Sequence, residues 1–108
     1  MKLVVTKRHL GEGIFPTFEA GTKVHALSPC KHYHNWTAGT LNGYETYLPM
    51  DYIDGGVLMR QYNPTELVAT ENSVVELIEV VYEWALVKDA HGTIGWLPFA
   101  KLKSLAFA

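Results

Sequence analysis

Cysteine is nearly absent: Cys30 is the only one in 108 residues, so no internal disulfide can form. That fits a reducing compartment. No apolar run approaches the length of about 18 residues that a membrane span needs. The opening "MKLVVTKRHLGEG" turns charged too soon for a secretory signal, which carries a longer apolar core and a small-residue cleavage site. A cytoplasmic protein with no membrane partner is the expectation. Basic residues are also scarce, nine Lys and Arg against eleven Asp and Glu for a net charge of −2. Without a basic face for phosphates, nucleic acid is a poor partner.

Catalytic signatures are missing too. There is no glycine-rich phosphate loop and no paired-carboxylate motif. Cys30 lies near histidines, but no oxyanion turn or third orienting group accompanies it. The chain is therefore expected to be no enzyme and to carry no cofactor. "CKHYHN" (Cys30 to Asn35) raises a metal hypothesis, since Cys30, His32 and His34 would share one face of a strand, with His25 near. The spacing matches no standard zinc pattern, so solvated histidines are preferred and no metal is expected.

What the chain does contain is a repeat. "GYETYLP" (Gly43 to Pro49) returns as "GTIGWLP" (Gly92 to Pro98). Pro16-Thr17 and Trp36 return 48 positions on as Pro64-Thr65 and Trp84. Gly43, Tyr47, Leu48, Pro49 and Ile53 return 49 positions on as Gly92, Trp96, Leu97, Pro98 and Leu102. One inserted residue between Trp84 and Gly92 explains the change. The chain reads as two copies of a unit of about fifty residues, a size that alone buries only a marginal core.

"SVVELIEVVYEWALVKD" poses a choice. Val74, Leu77, Ile78, Val81, Trp84 and Ala85 fall at helical spacing, and Ser73 with Glu76 spells a capping box. Its β-branched and aromatic richness favours strands. The first copy has Pro29 in the matching segment, where a helix would break. If the copies share a fold, both are strands. "LNGY" and "AHGT" then read as tight hairpins. Gly43 and Gly92 are expected at positive φ, and Tyr47 and Trp96 in the core. The short "DGG" at Asp54 to Gly56 is the one plausible linker, dividing residues 1–56 from 57–108.

The order of tryptophan, hairpin glycine, aromatic-Leu-Pro and then a hydrophobe resembles the Src-homology-3 (SH3) fold. "EWALVKDAHGTIGWLPFAKL" looks like the end of a bacterial SH3-like domain, and "YLPMDYI" is similar to the family's Pro-x-x-Tyr-hydrophobe box. The resemblance covers residues 14–53 and 62–102. It implies an all-β chain of two tandem SH3-like barrels packed together, with 3-10 turns at Pro49 to Tyr52 and Pro98 to Lys101. It also implies a peptide groove built from Trp36, Pro49 and Tyr52 in the first copy. In the second the groove would use Trp84 and Pro98, with Lys101 in the tyrosine's place. Phe15, Phe18 or Tyr62 would extend the aromatic surface.

Such grooves take proline-rich segments, whose preformed helix loses little entropy on docking. The acidic run Glu66, Glu71, Glu76, Glu79, Glu83 and Asp89 holds only Lys88 as a counter-charge. It reads first as a solvated face and, as the alternative, with Glu19, Glu66 and Glu71 in loops, as a surface that attracts a basic partner. A protein or peptide ligand, proline-rich or basic, is therefore the leading expectation. Two alternatives stand beside it: a structural, self-associating protein with its aromatics consumed inside, and cell-wall binding if the chain is exported.

Overall fold

The computed structural model describes residues 1–11 and 13–105. In chain order the strands are β1 (Lys2–Val5), β2 (Val24–Pro29), β3 (Trp36–Leu41), β4 (Tyr44–Pro49), β5 (Ile53–Asp54), β6 (Val57–Leu58), β7 (Val74–Val81), β8 (Trp84–Lys88), β9 (Ile94–Pro98) and β10 (Leu102–Ser104). Single 3-10 turns occupy Met50–Tyr52 and Phe99–Lys101, where the SH3 resemblance placed them. The chain is all-β, and among the described residues no helix is long and apolar enough to cross a membrane. No sheet among them closes into a barrel.

Two compact units form: unit 1 is residues 1–14 with 65–108, and unit 2 is residues 15–64. The boundary expected at residues 56 and 57 thus falls inside unit 2. Unit 2 holds the sheet β2-β3-β4 and the two-stranded ribbon β5-β6, and unit 1 holds the sheet β10-β1-β7-β8-β9.

The region with competing helical spacing is β7, in a hairpin with β8. Its ladder shifts register between Leu77 and Glu79. An extra residue at a bulge breaks the alternation of two, which is why the apolar positions mimic a helical stripe. The turn after β7 is Tyr82-Glu83, both left-handed at φ 40 and 74. The residue types do not announce it, because neither favours that conformation.

Within each unit the same wiring recurs. Trp36 pairs with Pro49 and Ala38 with Tyr47, as Trp84 pairs with Pro98 and Leu86 with Trp96. The residue before each tryptophan is left-handed, Asn35 at φ 63 and Glu83 at φ 74. Their carbonyls accept equivalent bonds, from Met50 N–H and Phe99 N–H, each 2.8 Å. The one-residue insertion lies in the hairpin loop. Asn42-Gly43 closes β3-β4 with φ 48 and 85, a two-residue turn with both positions left-handed. The longer loop from Asp89 to Thr93 closes β8-β9, its Asp89 carboxylate accepting from the His91 and Thr93 amides.

The first strands of the two copies are exchanged. β1, from the start of the chain, pairs with β7 and β10 of the second copy. β6 opens the second copy yet pairs with β5 of the first, and Val57 bridges Lys23 at the start of β2. The flanking hydrogen bonds match one for one. Leu58 N–H donates to Thr22 O and Gly21 N–H to Leu58 O, as Val5 N–H donates to Ser73 O and Asn72 N–H to Val5 O. Met59 N–H donates to Tyr52 O just as Thr6 N–H donates to Lys101 O, both 2.7 Å. Two-way bonds join Tyr62 to Phe18 and His9 to Ala69.

Period-two alternation carries Leu3 and Val5, Val75, Ala85 and Val87, and Leu97 into the core of unit 1, with Leu67, Ala69 and Leu102. In unit 2, Phe18, Val24, Leu41, Leu48 and Leu58 are buried. Tyr47, expected in a core, is 50% exposed. Leu48 faces inward, so its neighbour on β4 faces out. Trp96, the matching residue, is buried as expected.

Candidate functional site

The equivalences just drawn align the two units without reference to sequence identity. Tyr52 corresponds to Lys101, and Tyr62 to His9. Phe18 corresponds to Ala69, so three residues earlier Phe15 corresponds to Glu66. Three aromatic residues of unit 2 are thus replaced in unit 1 by an acid, an imidazole and an ammonium.

In unit 2, three expected groove residues are consumed by packing. Trp36 and Tyr52 are each 5% exposed, and Pro49 is fully buried. Tyr52 meets Tyr62 edge to face at 5.6 Å, and the Arg60 guanidinium sits 4.4 Å over its ring. A cation already occupies the aromatic face where a basic ligand would stack. Tyr62 donates its hydroxyl to Tyr47 O at 2.7 Å. Tyr44, 45% exposed, meets Phe15 and Phe18 edge to face.

In unit 1, Pro98 is buried, while Trp84 and Lys101 are half-buried. Lys101 Nζ lies 2.8 Å from His9 Nδ1 and 3.3 Å from Arg8 O. His9 Nε2 lies 2.5 Å from Glu66 Oε1. An ammonium has no lone pair, so Nδ1 must be the acceptor and Nε2 must carry the ring proton. With that tautomer His9 bridges the Glu66 carboxylate and the Lys101 ammonium, both ring nitrogens engaged. Its ring also meets Trp84 at 6.1 Å and 77°.

His9, Glu66 and Lys101 line an open depression with Arg8, Leu10 and Gly11. Glu66 is brought there by backbone bonds on either side, Leu67 N–H to Trp96 O and Trp96 N–H to Thr65 O. Gly11 is left-handed at φ 72, and a Cβ there would lie 3.2 Å from Glu66 O. Tight backbone approach, and not side-chain packing alone, sets the position of the acid.

Cys30, His32 and His34 do not share a strand face, because β2 ends at Pro29 and residues 31–35 form turns and bends. Among the described residues no group of three or more His, Cys, Asp or Glu could hold a metal. Comparison of the chain with family models, with curated proteins and with solved structures finds no match.

Sequence reasoning reached Trp84, the unusual Lys101 and Glu66, the last as an acid facing a basic partner, but missed Arg8 and His9. Aligning Pro16-Thr17 with Pro64-Thr65 hid the correspondence of Phe15 with Glu66. The signal for His9 lies in recognising "LVV" at Leu3 to Val5 as the strand equivalent to β6.

Proposed function

We propose that the chain is a non-enzymatic interaction module of two tandem SH3-like units, and that an extended, proline-bearing peptide docks on unit 1 across Trp84 and Lys101. Repeated register, matched 3-10 turns and the shared hydrogen bonds beside them support the SH3-like reading of both units. The observation that carries the docking reading is the open depression lined by Lys101, the residue at the family's groove position, and by His9, whose ring meets the half-buried Trp84. A flat indole gives a polyproline segment a shallow slot at low entropic cost. The lone Cys30 supports a reducing, cytoplasmic setting.

The test is binding of pooled proline-containing decapeptides to the intact chain and to Trp84→Ala. A hot-spot indole is worth about 2 kcal/mol or more, so affinity drops at least about thirtyfold in the variant. Equal affinity of the two proteins would sink the reading.

A structural role is the second reading, and it is favoured for unit 2 alone. Burial of Trp36, Pro49 and Tyr52, with Arg60 over the tyrosine, suits a scaffold that presents no groove.

A further inference from the structure

We infer that the unit 1 depression selects a carboxylate, so that the docked segment carries an acidic side chain and not the basic one suggested by the acidic run of the sequence. This inference rests on the peptide-docking reading above and names the chemistry of the same site.

Of the residues lining the depression, Arg8 and Lys101 are cationic and Glu66 is anionic. Glu66 is partly neutralised: its Oε1 meets Nε2 of His9. His9 is committed on both sides, because its other nitrogen accepts from Lys101. A basic ligand entering here would share Glu66 with His9, which already holds Oε1, while facing two cations.

Lys101 spends two N–H bonds, on His9 Nδ1 and Arg8 O, and holds a third. Among the described residues no carboxylate pairs with the Arg8 guanidinium, which is exposed. Among the described lining residues the surplus is one positive charge, with donors from two side chains on adjacent segments. Thr6 N–H to Lys101 O ties those segments together just before Arg8.

A carboxylate entering the depression accepts from both, and the Arg fork suits its planar geometry. The equivalent place in unit 2 holds Tyr52 and Tyr62 edge to face, with Gln61 at the position of Arg8. It offers no matching pair of cations, so the selectivity belongs to unit 1.

Three pooled decapeptide libraries, alike except for Glu, Gln or Lys at one central position between prolines, test this by fluorescence titration of the intact chain. The glutamate pool is expected to bind about tenfold tighter than the glutamine pool, the yield of one charge-assisted pair. The lysine pool is expected to bind weakest. In R8Q/K101Q the glutamate and glutamine pools converge. Equal binding by all three pools overturns the carboxylate inference but leaves peptide docking standing. Tightest binding by the lysine pool, or a glutamate preference that survives in R8Q/K101Q, also overturns it. No binding by any pool removes the docking reading together with this one.

Discussion

Gly95→Ala is the most informative single perturbation, because it strikes the joint that places Glu66. The backbone there has no left-handed strain, so the cost is purely steric. An added Cβ would lie 2.7 Å from Leu67 N and 2.9 Å from Leu67 Cα and Cβ. Ordinary carbon contacts settle at about 3.5–4.0 Å, so the Thr65 to Leu67 segment must retreat by roughly 0.7–1 Å. The bonds of 2.9 and 3.0 Å that tie it to Trp96 would then exceed hydrogen-bond range.

Losing two such bonds costs about 1 kcal/mol each, and residual overpacking about another 1 kcal/mol. The gain from a stiffer unfolded chain offsets roughly 0.5 kcal/mol. A net loss of about 2–3 kcal/mol from unit 1 is expected. Urea unfolding followed by the amide signals of residues in β7, β8 and β9 reads it directly. The position matching Gly95 in unit 2 is Thr46, which already carries a Cβ, so unit 2 signals should unfold at an unchanged midpoint. A loss under about 0.5 kcal/mol, or an equal loss in both units, would refute the reasoning.

Gly39→Ala should cost unit 2 only about 1 kcal/mol, since its Cβ meets methyl groups of Val24 and Leu48 at 2.9 and 3.0 Å instead of backbone; the same urea titration ranks the two variants. Replacing Tyr82-Glu83 by Asn-Gly relieves two left-handed residues at φ 40 and 74 and should stabilise unit 1 by about 1–2 kcal/mol. Nitrogen-15 shifts of His9, measured where its ring is neutral, should show the proton on Nε2, and a proton on Nδ1 would contradict the Lys101 bond.

Composition, turn chemistry and repetition made the β class, the hairpins at Asn42-Gly43 and Asp89 to Thr93, and both 3-10 turns legible. Those features are local, or are certified by being written twice. Strand exchange was not legible, because Leu3 to Val5 and Val57-Leu58 are short apolar stretches that do not state their partners. Pairing across the chain is a tertiary choice, made here by the cores they complete. The tight Gly55-Gly56 turn keeps β6 with β5, and β1 supplies the corresponding strand beside β10. The site was half legible for the same reason. Lys101 stands out as a departure from an aromatic pattern, whereas His9 and Glu66 acquire meaning only once β1 is laid beside β10 and the chain before Leu67 beside β9.

Chemical-shift mapping with the glutamate-bearing peptide pool tests the central claim most directly. Shifts concentrated at Arg8 to Gly11, Glu66, the Trp84 indole and Phe99 to Lys101 are predicted. Shifts centred instead on Tyr44, Tyr47 and Tyr52 would contradict the account.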